Sequence, residues 1–161
     1  DSMIGLDWDL YHKMTMFKQD GLTRKNIVIS KNNPIFAVCA HHIEKFYGLK
    51  GHGKHFDFGP VCTIAYIPKD GVIAGISKFS RLTEFLSARP CNAEELTSII
   101  METLKFVLKT DDVAVYMETY HNCQNTRGAR ANASTVTFAC SGIFETDSQI
   151  RSEFLNEART R

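Results

Sequence analysis

Apolar residues recur along this chain with two different periods, and the changes of period mark its elements. In the first 20 residues Leu6, Leu10, Met14 and Phe17 keep a helical rhythm that ends near Gly21. Asn26 to Ser30 (NIVIS) reads as a short strand, and Ile35 to Ala40 as a second one. Residues 48–59, GLKGHGKHFDFG, are rich in glycine and show no period, which predicts a loop. Val61 to Ile67 (VCTIAYI) is β-branched and aromatic, a strand closed by the turn signal Pro68-Lys69-Asp70-Gly71.

The middle of the chain changes to a period near 3.6. Phe79, Leu82, Phe85 and Leu86 predict a helix over Lys78 to Ala88, stopped by Pro90. Asn92 reads as the N-cap of the next helix, with Glu95 three positions on. Leu96, Ile99, Ile100, Leu104, Val107 and Leu108 then form one apolar stripe. Two strands follow, Val113 to His121 and Ser134 to Phe144, and a last helix begins near Asp147 with Ile150, Phe154 and Leu155 on its buried side. The order predicts an α+β domain over residues 26–161, a two-layer antiparallel sheet with helices on one face, behind a short N-terminal helical segment over residues 1–25.

Composition narrows the function classes. The chain has 161 residues, 43% hydrophobic and 23% charged, enough for one domain with a core of its own. A net charge of +1 gives no broad basic surface for nucleic acid, so any anion site is local. The longest apolar runs fall short of a membrane span, and the first residues lack the order of a signal peptide, so the expected setting is cytoplasmic. Five cysteines at irregular spacing argue against a disulfide framework. Cys62 and Cys140 sit in apolar surroundings and read as small buried hydrophobes. Cys39 and Cys123 do not, because each has histidine beside it.

Val38 to His42, VCAHH, concentrates the chemistry. Cys39-x-x-His42 has the spacing of a short metal chelate, and strand alternation in Tyr120-His121-Asn122-Cys123 turns His121 and Cys123 to one face. Cys39, His42 and Cys123 would hold zinc and leave a fourth position for water, the pattern of a catalytic site. His41 and His121 remain as proton carriers. The plainer reading of each piece is a core cysteine or a hydrogen-bonded strand histidine. The rival pair His52-x-x-His55 reads as solvated loop. Ser77, Lys78 and Arg81 at a helix start, with Arg127 beyond Cys123, suit phosphate oxygens; their plainer reading is a solvated basic turn. Glu94 is either a helix-dipole partner or an acceptor for a nitrogenous base.

The blocks CAHH, AYIPKDGVIAGISKFSR, RPCNAEELT, HNCQNTRG, STVTF, SGIF and RSEFL, in this order from Cys39 to Leu155, resemble GTP cyclohydrolase I. The resemblance implies the tunnelling fold, with subunits joined into a pentameric β-barrel, two rings stacked as a homodecamer, and active sites between subunits. It implies a zinc-dependent hydrolase that opens the imidazole ring of GTP, releases formate and yields 7,8-dihydroneopterin triphosphate, serving pterin biosynthesis. Matching motif positions then make Cys39, His42 and Cys123 the zinc ligands, and His41 and His121 the proton carriers. They put Ser77 on the ribose, Lys78, Arg81 and Arg127 on the triphosphate, and Glu94 on the guanine edge. The chain departs from the family where Ala40 replaces the glutamate of C-E-H-H, and where Ala93-Glu94-Glu95 replaces Q-E-R. The loop over residues 45–60 is longer than usual, Ala74 is an extra residue, and the N-terminal region is short. The loss of that glutamine opens the alternatives of a variant purine nucleotide such as dGTP, or of a non-catalytic nucleotide- or pterin-binding member that keeps zinc.

Overall fold

A computed structural model describes residues 14–22, 26–47, 62–131 and 133–160. The expected loop over 48–59, His52 and His55, and residues 1–13 of the expected N-terminal helix lie outside the described residues. What is described of that N-terminal segment is extended: β1 (Met16–Lys18) pairs antiparallel with β6 (Val72–Ala74) as a two-stranded ribbon. Phe17 is therefore a strand residue, and its helical spacing from Met14 does not carry a helix there.

Among the described residues the main sheet has seven strands. It contains β2 (Val28–Asn33), β3 (Phe36–Cys39), β4 (Glu44–Tyr47), β5 (Cys62–Tyr66), β7 (Pro90–Cys91), β8 (Val113–His121) and β9 (Ser134–Cys140). The long strand β8 organises the rest. On one side its first half pairs with β5 and its last two residues with β4, while β9 runs along its other side, all antiparallel. Beyond β4 come β3 and then the short β7, the one parallel pairing among the described residues.

Alternation along β8 sends side chains to two separate cores. Val113, Val115 and Met117 face the helices α1 (Ile76–Ser87) and α2 (Ala93–Leu108), where Phe79, Leu82, Leu96, Ile100 and Leu104 close over them. Ala114 and Tyr116 face the other way, against Phe144, Phe154 and Ala158 of α4 (Ile143–Thr146) and α5 (Ser148–Arg159). Helices thus cover both faces of the sheet, which corrects the one-face expectation. The physical reason is that β5 and β8 are apolar at successive positions, Ile64-Ala65-Tyr66-Ile67 and Val113 to Met117, so one covered face would leave half of them in water. Each fully buried Leu or Ile in these cores contributes about 1.5–3 kcal/mol.

Helix boundaries carry two further corrections. The first helix starts at Ile76, two residues before the expected Lys78, with Gly75 as its N-cap. Asn92 occupies the N-cap position of α2 in extended conformation, yet its side chain makes no capping bond, so the expected capping box does not form. The Asn92 carbonyl instead accepts from Leu96 N–H at 2.9 Å. The strand expected to reach Phe144 ends at Cys140, because Gly142 adopts φ 59° and turns the chain into α4. Asp147 caps α5 through bonds from the N–H groups of Gln149 and Ile150. Among the described residues no helix is long and apolar enough to cross a membrane.

Candidate metal centre and nucleotide pocket

Pairing of β3 with β4 leaves Ala40 to Ile43 as a four-residue hairpin loop between Cys39 and its partner Glu44. This tightness makes the C-x-x-H spacing work. The N–H groups of His42 and Ile43 both turn back to the Cys39 carbonyl, at 3.4 and 2.9 Å, which curls His42 over the cysteine. Ile43 takes φ 53°, a left-handed conformation that costs a β-branched residue on the order of 1–3 kcal/mol. The loop holds this strained shape while presenting Cys39 Sγ and His42 Nδ1 to each other at 3.9 Å.

The second thiol arrives by a different route from the one expected. Strand β8 ends at His121, and Cys123 lies in the helical turn α3 (Asn122–Asn125), so strand alternation does not carry His121 and Cys123 to one face. The turn nevertheless swings Cys123 under the hairpin loop. Ligand atoms of Cys39, His42 and Cys123 all lie within 4.8 Å of one another. Tetrahedral zinc bound to sulfur and nitrogen needs ligand separations of about 3.6 Å, so small side-chain adjustments bring the three into coordination range. The donor set fits the ion. Burial and then the neighbouring Cys39 push the Cys123 thiol up, and a cation between the two sulfurs reverses that repulsion. Cys91 lies beside Cys39 in parallel register but outside the group; burial, with the charge of Glu95, pushes its thiol up to about 11.

Around these three side chains lies an open cavity of about 260 Å³, lined also by His41, Asn92, Ala93, Glu94, His121, Gln124 and Thr135. The imidazole of His121 stacks on Phe46, with centroids 4.8 Å apart and planes at 15°. Burial holds His121 below the usual imidazole range, and Glu94 partly opposes that shift. A neutral, oriented imidazole beside a metal site is suited to accepting a proton. His41 is exposed on the loop, 6.2 Å from His42 between ring centroids. Arg127 donates from Nη2 to the His42 carbonyl at 3.5 Å, which places a positive charge at the rim.

Seven of the ten sequence-derived site residues are brought together: Cys39, His41, His42, Glu94, His121 and Cys123 line the cavity, and Arg127 borders it. Ser77, Lys78 and Arg81 are not among its lining. They occupy the first turns of α1, whose start is tied to Thr15 through Gly75 N–H and whose last residue, Ser87, accepts from Phe36 N–H. Sequence reasoning missed Phe46, Gln124, Thr135 and the orientation of Asn92. Phe46 carried no signal, since its role depends on β4 reaching β8. Gln124, adjacent to Cys123, was the one of these that a scan of neighbours could have found.

Comparison with known proteins places these observations in a family. The sequence profile described as GTP cyclohydrolase I matches residues 3–159. A protein named GTP cyclohydrolase 1 from Thermoanaerobacter pseudethanolicus is 34% identical over 153 residues, covering 94% of this chain and 74% of its own length. Its namesake from Caldanaerobacter subterraneus subsp. tengcongensis is 35% identical over 152 residues, covering 94% and 73%. One from Bacillus cereus is 33% identical over 150 residues, covering 92% and 73%.

Proposed function

The chain belongs to the GTP cyclohydrolase I family of hydrolases, and from that premise we propose that it opens the imidazole ring of GTP with zinc, releasing formate and giving 7,8-dihydroneopterin triphosphate. The observation that carries this reading is the convergence of two thiols and an imidazole within 4.8 Å at the floor of a cavity that also holds two uncommitted histidines and a carboxylate. Zinc held by Cys39, His42 and Cys123 supplies Lewis-acid activation of water at neutral pH. Every other part of the chemistry belongs to side chains of the chain.

Glu94 accepts the N–H donors of the guanine edge and so turns the imidazole ring of the base toward the metal-ligand triad. His121, kept neutral by burial and held flat by Phe46, takes and returns a proton at the opening ring. His41, on the mobile-solvent side of the loop, exchanges protons with water and serves the ribose oxygen during rearrangement. Arg127 grips the triphosphate from the rim.

Ser77, Lys78 and Arg81 fit the same substrate from a second copy of the chain. Their absence from the lining of the cavity supports this arrangement, as does the family's assembly of rings with sites between subunits. The proposed assembly is therefore a homo-oligomer of pentameric rings, joined as a decamer, working in the cytoplasm within pterin biosynthesis. The domain that does this work spans residues 26–161.

Ala93 favours a second reading of the substrate. It is 1% exposed and lines the cavity with a methyl group alone, so part of the base-reading surface is apolar. A deoxynucleotide or another purine nucleotide then competes with GTP, and a binding-only member is the limiting case. Incubation of the zinc-loaded protein with GTP and dGTP, followed by oxidation and detection of pterin fluorescence and formate, separates these readings. Binding of either nucleotide without formate release overturns catalysis.

A further inference from the structure

Asn92 holds an unusual position beside Glu94. It sits at the N-cap of α2 with φ −93° and ψ 156°, the backbone geometry in which an asparagine normally bonds the free N–H groups of its helix, yet its side chain makes no such bond. Its Oδ1 is buried and, among the described residues, has no hydrogen-bond partner. The residue as a whole is only partly buried and lines the metal cavity together with Ala93 and Glu94. With Oδ1 the buried end, Nδ2 is the donor that the carboxamide has to offer a ligand. Both the unused cap and the unpaired oxygen cost stability, and neither is compensated among the described residues.

We propose that Asn92 is a specificity-determining residue whose Nδ2 donates a hydrogen bond to the 6-oxo group of a 2-amino-6-oxopurine. The inference rests on the reading of this cavity as a guanine-nucleotide site and deepens it. A carboxylate has only acceptors, so Glu94 satisfies the adjacent N1–H and 2-amino donors of such a base but can do nothing for O6. A carboxamide two positions earlier supplies the missing donor. The pair then matches the whole edge: two donors of the base to Glu94, one acceptor of the base from Asn92. A 6-aminopurine meets this pair wrongly at both ends, with an amino group against Nδ2 and a bare ring nitrogen against the carboxylate. Unmatched buried polar groups are what give a site large discrimination, and Ala93 between the two contributes none.

The test compares GTP with the triphosphate of 2-aminopurine riboside, which keeps the 2-amino group and lacks both O6 and the N1–H that faces Glu94. Dissociation constants come from rapid-mixing measurements on zinc-loaded protein that end before one turnover. The native protein should prefer GTP by about tenfold or more. Asn92→Ala should weaken GTP by about tenfold and leave the 2-aminopurine nucleotide within about twofold, narrowing the preference by that factor and leaving only the share that N1–H owes to Glu94. Asn92→Ser, which retains a capping oxygen for α2, should do the same while keeping the native circular dichroism and zinc content. Equal weakening of both nucleotides, or no change in either, overturns the assignment. Formate release is scored separately: native protein that keeps the Asn92-dependent preference but releases no formate overturns the proposed reaction alone. Turnover with equal losses overturns the Asn92 assignment alone.

Discussion

His121 lies almost parallel to Phe46, ring against ring at 4.8 Å, on neighbouring strands whose pairing sets the two residues directly opposite each other. Phe46 is fully buried, so the imidazole is held by a surface that cannot move. The position of the proposed proton carrier is therefore a consequence of sheet register. Phe46→Leu keeps most of the volume but removes the flat face, and turnover should fall by about ten- to a hundredfold with zinc content unchanged. Phe46→Ala should in addition cost about 3–5 kcal/mol of stability. Urea unfolding, elemental analysis and formate release read the three effects separately.

Ligands and proton carriers should part company when each is removed. Cys123→Ala leaves two donors and should strip zinc from the purified protein. His121→Ala should retain close to one zinc per chain while turnover drops by about 10²–10⁴. Zinc loss on His121→Ala would make His121 a ligand and reverse the assignment.

The proposed sharing of sites between subunits predicts complementation. Lys78→Ala and His121→Ala should each be inactive alone, since one removes the proposed phosphate contact and the other the proposed proton carrier. Co-expressed and randomly mixed, they should recover about a quarter of native activity, because that share of sites draws both intact residues from different copies. Mixed oligomers as inactive as the parents would place both residues in one subunit's site.

Alkaline stability should report Cys62. Burial pushes its thiol from the ordinary value of 9.0 up to about 12. The unfolded chain loses this proton near 9 while the folded chain keeps it, so stability is full below pH 9 and falls between pH 9 and about 12. The total loss approaches ~4 kcal/mol at about 1.4 kcal/mol per unit. Urea midpoints measured across this range should decline less steeply in Cys62→Ala, whatever its stability at pH 7. In the native protein at pH 8, Cys62 should also resist alkylation until urea unfolds the chain.

Much of the fold was legible because its signals are local. The stripe Leu96, Ile100, Leu104, Val107 and Leu108 lies on one helix face, and Val113 to His121 is one strand, since period and propensity act between near neighbours. Errors fell where pairing overrides such signals. Phe17 follows a helical spacing but sits in a ribbon with Ile73, and Asn92 has the residue type and backbone of a cap without capping. The second covered face escaped notice because the alternating residues Ala114 and Tyr116 do not say what covers them.

By itself the sequence determined the spacing Cys39-x-x-His42, with His41 inside it, and the order of blocks that identifies the family, because these are read along the chain. Tertiary structure alone decided that Cys123 meets the chelate from a helical turn, that Phe46 immobilises His121, and that Asn92 and Glu94 share a cavity while Lys78 and Arg81 stay outside it. These depend on which strands pair and in what register, and the pairing energy comes from burying residues far apart in the chain. No spacing within a single segment records that outcome.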